Sequence, residues 1–355
     1  MPAPSGPATP PARPLLPRTS REVRLLSRPD GLPAAEHFEV AEVPLPRPGP
    51  GEVLVRNRAF LVFAALLRMV IDGHYPGAAL RPGDALFGPA VGEVVAAPAP
   101  GGPPGGGPRP GDTVLHQLGW REYAVVPAEQ CAVVGPELPD PVAHLSQGWT
   151  AYGALTRAVE VRPGDTVFVT GGAGAVGSLA GQLARLLGAE RVIGSTGSPD
   201  KARRLVAELG YDAAVVRGAE PVADQLAKAA PDGVDVLLDT VGGEQLRAAV
   251  AAARPGARFV LVGGLATQLA PEGLGGARPA AVDWVRVVLN RVTLRGFNAA
   301  DHPDALPEWN RRFGDWLASG RISFPHTRLA GIESGPRAFR EVIEGRHLGA
   351  VVVEP

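Results

Sequence analysis

Apolar and polar positions alternate along this chain in two rhythms. From Glu22 onward short apolar segments (VRLL, FEVAEVPLP, EVLVRNRAF, DALFGPAVGEVVAA, DTVLHQL, REYAVVP) are punctuated by Pro and Gly, which predicts short β-strands closing a small barrel. From residue 139 the texture changes. PVAHLSQGWTAYGAL reads as helix, and beyond it fully apolar runs alternate with segments of helical spacing. Strands are predicted at 166–170, 191–195, 213–216, up to Asp239 in VDVLLD, at RFVLVGG and at RVTLRGF. Helices are predicted between them, including 222–230, 244–253 and 282–289. Six strands joined by crossover helices make an α/β fold with a doubly wound parallel sheet. After residue 299 a helix carries Trp309, Phe313, Trp316 and Leu317 at core spacing, a capped helix spans 336–345, and AVVV forms a last strand that returns to the barrel. The expected organisation is a disordered proline-rich tail over 1–20, a barrel domain over 21–143, a dinucleotide-binding domain over 144–299, and a C-terminal part over 300–355 that rejoins the barrel domain.

The first unit of the parallel sheet carries the clearest chemical signal. Between its first strand and first helix, Gly172, Gly174 and Gly177 form G-x-G-x-x-G. The first glycine permits a tight turn, the second lets backbone approach a pyrophosphate, and the third lets helix pack on strand. Val176, Leu179, Leu183 and Leu186 then recur at helical spacing, so the motif stands in the strand–turn–helix setting that gives it meaning. An NAD-selective site usually ends its second strand in Asp or Glu, but here that strand ends in Gly194 and Ser195. The next helix opens Ser198-Pro199-Asp200-Lys201, with Ser198 as N-cap and Lys201 in the first turn. Lys201 is either an ordinary exposed lysine or a ligand for a 2′-phosphate; the absent carboxylate favours the latter, and the cofactor reads as NADP(H).

Composition narrows the remaining choices. A length of 355 residues suits two domains with proper cores. A formal charge of −1 argues against a nucleic-acid-binding surface. Cys131 is the sole cysteine, so neither an intramolecular disulfide framework nor a cysteine-based zinc site can form, and a reducing compartment fits. The longest apolar stretch, 59–71, is broken by Arg68 and too short to span a bilayer. The expectation is a soluble, cytoplasmic protein with no metal, no membrane contact and a small-molecule substrate. The glycine-rich run within 97–111 reads as a loop between barrel strands.

Several segments together (ALFGPAVGEVVAA, WTAYGAL, GAVGSLAGQLARLLGAERVIGSTGSPDK, ELGYDAAV, DVLLDTVGGEQL, RVTLRGF and the terminal GRHLGAVVV) resemble the zinc-free medium-chain dehydrogenases/reductases. Within them the chain is similar to the leukotriene B4 dehydrogenase, prostaglandin reductase and alkenal double-bond reductase group. The resemblance covers nearly everything after the proline-rich start. It implies a GroES-like barrel domain split around a Rossmann domain, NADPH as hydride donor, and a homodimer. Carried over by position, Ala175 and Val176 would touch the pyrophosphate and Lys201 the 2′-phosphate. Asp239, Thr240 and Val241 would lie beside the nicotinamide ribose, Gly263 and Leu265 below the ring, and Phe297 and Asn298 at the nicotinamide pocket. Where the family holds the phosphate with a tyrosine, this chain has Arg217, whose fork suits the same task.

The departures fall on the substrate side. A family run Asp-Pro-Tyr-Met-Arg is replaced by Ala64, Ala65, Leu66, Leu67 and Arg68, which keeps only the arginine. A family tyrosine after the fifth Rossmann strand aligns near Gln268 or Leu269, the asparagine of the terminal G-x-N-x-G-K motif is His347, and its lysine is Ala350. Reduction of an activated C=C needs a hydride donor, polarisation of the carbonyl and a proton. Candidate groups are Tyr75, Tyr152, Gln268, His347 and backbone N–H groups near Gly264. Tyr75 and His74 sit in a loop, where an anchoring role competes with a catalytic one, and His347 after a helix cap reads equally as a surface residue. The expected activity is NADPH-dependent reduction of an enone or enal, in secondary metabolism, on a substrate other than the family's lipid enones. The alternatives are a quinone reductase, or an NADP(H)-binding protein without redox turnover that serves as scaffold or non-redox cyclase.

Overall fold

The structure is a computed structural model that describes residues 16–67, 80–97, 107–269 and 281–355. The start of the chain to residue 15, Tyr75 and His74, Arg68, and residues 98–106 of the glycine-rich run lie outside the described residues.

The apolar runs after residue 165 form a six-stranded parallel sheet. Its order is Ala213–Val216, Arg191–Thr196, Thr166–Val169, Val234–Asp239, Ala253–Leu261 and Thr293–Gly296. The inner strands have no polar face because helices cover both sides: Val167 and Val169 point into one apolar cluster and Phe168 into the other. The fifth strand was expected at RFVLVGG. It starts earlier, at Ala253, and stops at Leu261, because the N–H groups of Val262 and Gly263 turn away to the Asp239 carbonyl at 2.7 and 3.1 Å.

The early rhythm forms the barrel. In Glu52–Val62 exposed Arg56 and Arg58 punctuate buried neighbours, and the strand lies between Ala350–Glu354 and Ala90–Ala96 while also pairing with Tyr123–Pro127. A separate antiparallel pair, Thr19–Leu25 with Phe38–Pro44, begins inside the segment expected to be tail; pairing and the burial of Val23 and Leu25 order it.

The C-terminal part behaves differently from its expected assignment. Its helix Ala305–Ala318 stays with the parallel sheet, since Trp309, Phe313 and Trp316 bury in the cluster that holds Tyr152, Leu179 and Leu183. Only His326–Ala330, Ser334–Ile343 and Ala350–Glu354 join the barrel, where Phe339 and Ile343 pack with Phe60, Leu66 and Trp120.

Candidate functional site

In an open parallel sheet, a crevice forms outside the C-terminal strand ends where the winding reverses. Here that point lies between Thr166–Val169 and Val234–Asp239, adjacent strands whose following helices run to opposite sides.

The glycine turn occupies the first strand end. Gly171 has φ +60, the Gly172 N–H donates to the Ser195 carbonyl at 2.8 Å, and the Gly174 N–H donates to the Gly171 carbonyl at 2.8 Å. A Cβ on Gly177 would lie 2.3 Å from the Gly171 oxygen and 2.6 Å from the Gly172 Cα, so the third glycine is required by contact with backbone. Gly174 is exposed and bridges to Gly349, Ala175 and Val176 are half-buried, and the Val176 N–H is taken by no acceptor among the described residues. They stand just before the helix Gly177–Leu186, so a free donor and a helix start lie at the strand end.

One brace of this turn escaped sequence reasoning. The fully buried Tyr211 hydroxyl donates to the Gly177 carbonyl at 2.6 Å, and burial drives its pKa far upward, so it stays a donor. Its ring fills space left by Gly181 and Gly194, where a Cβ would come within 2.2 and 2.8 Å of it. Glycines inside a helix and a strand were the available signal. Ser195, expected at the cofactor, is a second brace. It is completely buried, accepts the Gly171 N–H at 2.9 Å and donates to Gln245 Oε1, so its hydroxyl is spent inside the fold.

Lys201 and Arg217 meet at the end of the second strand. Ser198 caps the helix Pro199–Glu208 as expected. A Cβ on Gly197 would lie 3.0 Å from Arg217 Nη2, so the guanidinium spreads over that glycine. Burial, and then the neighbouring Arg217, lower the Lys201 pKa. Neither cation has a carboxylate partner among the described residues; Lys201 Nζ instead donates to the carbonyls of Gly345 and, at 3.4 Å, His347. Two like charges held together with no counter-ion fit a dianionic phosphate. A second link crosses at the same place, where the Gly349 N–H donates to the Ala173 carbonyl at 2.9 Å. Gly349 has φ +81, and a Cβ there would lie 1.9 Å from the Pro325 oxygen.

The other half of the crevice lies over the last three strands. Asp239 is buried, and its Oδ1 accepts from the Thr170 hydroxyl at 2.6 Å and from the Val241 and Gly242 N–H groups, each at 2.9 Å. That oxygen shapes the turn carrying Thr240 and Val241 and faces inward. Gly263 lies against Thr240, with a would-be Cβ 3.0 Å from its carbonyl oxygen. Leu265 begins a short helix to Gln268. Between them, the Gly264 N–H has no acceptor among the described residues. Phe297 is buried against Gly153, and Asn298 is exposed, its side chain accepting from the Ala300 N–H at 3.2 Å.

The barrel meets the parallel-sheet domain through apolar residues. Leu66 and Leu67 turn into the barrel core, and Phe63, Phe87 and Leu269 pack against that same cluster, Leu269 reaching it from the parallel-sheet domain. Ala64 and Leu66 carry no polar group where the family it resembles has Asp and Tyr.

Two expected catalytic groups are corrected. Tyr152 lies buried between Trp309 and Trp316, at 5.9 and 6.5 Å between ring centroids. Burial and a hydrogen bond to Glu308 push its hydroxyl up to about 12, and core packing removes it from reach of a substrate. His347 pairs with Glu341, Nε2 to Oε2 at 2.8 Å, and its carbonyl faces Lys201, which puts it at the phosphate end of the crevice rather than at the reacting carbons. Gln268 is half-buried beside the crevice, and its N–H donates to the Gly264 carbonyl at 3.1 Å.

Among the described residues, no group of three or more His, Cys, Asp and Glu gathers to hold a metal ion, and no helix is long and apolar enough to cross a membrane. Two family models match: an N-terminal domain of oxidoreductase over residues 21–134, and a zinc-binding dehydrogenase model over residues 175–314. The chain is 30% identical to YfmJ of Bacillus subtilis over 95% of this chain and 98% of that protein. It is 29% identical to the NADPH-dependent curcumin reductase of Escherichia coli, over 93% and 95% of the two chains. The crystal structure of CurA from Vibrio vulnificus in complex with NADPH superposes with a TM-score of 0.84 at 28% identity, covering 94% of this chain and 98% of that one. With a split barrel around a parallel sheet, a glycine turn at the switch point and relatives matching end to end, the chain belongs to the zinc-independent medium-chain dehydrogenase/reductase family.

Proposed function

We propose that the protein is an NADPH-dependent reductase of the activated C=C bond of a small enone or enal. The reading rests on the paired cations Lys201 and Arg217 over Gly197, a seat for the one phosphate that separates NADPH from NADH. It is supported by the curcumin, prostaglandin and alkenal reductases among the relatives, at 26–29% identity.

When bound, NADPH supplies a hydride. The residues do the rest. Val176 and Gly177 would hold the pyrophosphate through backbone N–H groups at the helix start, on the turn that Gly172, Gly174 and Ala175 shape, while Lys201 and Arg217 would hold the 2′-phosphate. Thr240 and Val241, on the turn that Asp239 shapes, border the nicotinamide ribose. Gly263, Leu265, Phe297 and Asn298 border the nicotinamide ring. The free Gly264 N–H donates to a substrate carbonyl as charge develops on its oxygen. The apolar wall of Phe63, Phe87 and Leu269 excludes water and selects an uncharged acceptor.

The test is a panel of benzalacetone, cinnamaldehyde and menadione, followed by NADPH absorbance. Consumption with the first two, faster than with menadione, supports the reading. Preference for menadione makes the enzyme a quinone reductase, and tight NADPH binding with no consumption on any acceptor contradicts redox turnover.

We also propose a homodimer built on the free edge of the parallel sheet. Thr293–Gly296 pairs on one side only, and the helix before it exposes Trp284 (72%), Val288 (65%) and Leu289 (68%). The nearby charges are turned aside: Arg286 to the Ala251 carbonyl and Arg295 to the Ala158 carbonyl. An unpaired edge beside bare apolar surface suits a second copy adding antiparallel across a two-fold axis.

A further inference from the structure

The reduction needs a proton as well as a hydride, and neither Tyr152 nor His347 stands where it could give one. The segment after the edge strand supplies another group. The Phe297 N–H donates to the Leu261 carbonyl at 2.9 Å, carrying the strand direction into the crevice, and a Cβ on Gly153 would lie 2.7 Å from the Phe297 ring, which is thereby pinned. The chain then makes the turn Ala299–Asp301, capped by Asn298, and the His302 N–H closes it on the Ala299 carbonyl at 3.0 Å. This returns the His302 imidazole flat onto Phe297, with centroids 5.0 Å apart and planes 13° from parallel.

His302 is half-buried, and neither ring nitrogen has a protein partner among the described residues. The other described histidines are engaged or sit elsewhere. His116 is bonded to Asn57, His326 to the Phe324 carbonyl and Arg328, His347 to Glu341 and His37 to Ala34, while His144 has Nε2 buried in the barrel-side turn Pro141–Leu145. The charged groups around His302 are Asp301 and Asp304 on its own segment, Arg157 and Glu308 on the elements packed beside it, and Arg295 on the strand before it. Arg157 pairs with Asp304 at 3.2 Å and with Glu308 at 2.7 Å, and Arg295 faces the Ala158 carbonyl. Asp301 is exposed. With Lys201 and Arg217 fixing the adenosine end on the second and third strands, the nicotinamide half falls toward the fourth to sixth, and His302 lies on the turn that follows the sixth.

We infer that His302 is the proton donor of the reaction. The inference rests on the reductase reading above. Hydride adds to the β-carbon as a new C–H bond, the C=C electron pair moves to the carbonyl as an enolate, and the Gly264 N–H steadies the oxygen. The enolate α-carbon then takes the proton from the His302 imidazolium. The N–H bond breaks, its electron pair stays on the now neutral imidazole, and solvent water reprotonates the ring. One NADPH and one proton yield NADP⁺ and the saturated carbonyl compound. Phe297 lies flat against the ring, and neither ring nitrogen is bonded to protein among the described residues.

Two measurements test this. In the first, His302→Phe keeps the stack on Phe297 but removes the proton. The variant should bind NADPH as the wild type does and lose about 100-fold in kcat on benzalacetone, within the range for general acid catalysis. The two proteins should also differ in the pH profile of kcat. A variant with wild-type kcat and an unchanged pH profile overturns the proposal, because an aromatic spacer would then suffice. In the second, the imidazole Cε1–H resonance of His302 is followed by NMR in the wild-type protein. It should shift on addition of NADP⁺ and stay in place with 2′,5′-ADP, which fills only the adenosine end. A resonance unmoved by NADP⁺ overturns the placement, whether or not the variant folds. If the wild type consumes no NADPH on any acceptor, the reductase reading fails and the proton-transfer role fails with it, while a shift on NADP⁺ still separates that result from a misplaced histidine.

Discussion

At the scale of single residues, the cofactor end turns on contacts that leave little tolerance. Lys201→Ala and Arg217→Ala should each raise the KM for NADPH by about 10- to 100-fold, the worth of one charge-assisted contact, with little change in the KM for NADH. Steady-state kinetics with both cofactors checks this, and equal losses for the two would deny the phosphate seat. Tyr211→Phe leaves the Gly177 carbonyl without its donor and should cost about 1–3 kcal/mol by denaturant titration, although the tyrosine meets no ligand. The glycines were legible in the sequence because each answers a local need: a tight turn, a backbone approach, a helix against a strand. The roles of Tyr211, Ser195 and His302 were not. Their partners Gly177, Gln245 and Phe297 are brought to them by the fold, and nothing in a linear spacing reports that a hydroxyl is already spent or that a ring lies flat on another.

At the scale of elements, both rhythms of the sequence became the sheets they implied, because alternation and continuous apolarity each match one way of being covered. The errors fell where an element's end depends on a remote group. The fifth Rossmann strand stops where Asp239 takes the next two N–H groups, and the helix Ala305–Ala318 follows its aromatic face to the parallel sheet rather than to the barrel. The barrel holds an acid-sensitive joint. Burial, and then Arg121, lower the His116 pKa to about 4, while its ring bonds Asn57 at 2.9 Å across the strands. Below its ordinary value near 6.5 the unfolded chain binds a proton that the folded one refuses, so this group's contribution is intact above about pH 6.5 and is lost as pH falls towards 4. The loss approaches roughly 3 kcal/mol at the acid end, and denaturant titrations at pH 7 and pH 5 should show about half of it. His116→Gln should flatten the difference. Equal wild-type stability at the two pH values would contradict a neutral buried ring.

At the scale of the whole molecule, the two bodies are tied at the cofactor end. Lys201 reaches the carbonyls of Gly345 and His347, and Gly349 reaches the carbonyl of Ala173, so the seat for the phosphate is also a seam between parallel sheet and barrel. The free sheet edge makes a second whole-molecule claim. Val288→Glu should turn a dimer into a monomer in size-exclusion chromatography with light scattering, leaving the fold intact because that side chain is mostly exposed. A wild-type protein that is already monomeric at micromolar concentration would remove the proposed interface. The central claim, that this crevice passes a hydride to an activated double bond, is tested most directly by isotope tracing. Benzalacetone is incubated with the enzyme and each stereospecifically C4-deuterated NADPH, and the product is read by NMR. One of the two cofactors should give saturated ketone with a single deuterium on the β-carbon, in amount equal to the NADPH consumed. Deuterium in the α-position, label in an alcohol, or NADPH bound and never consumed would contradict it.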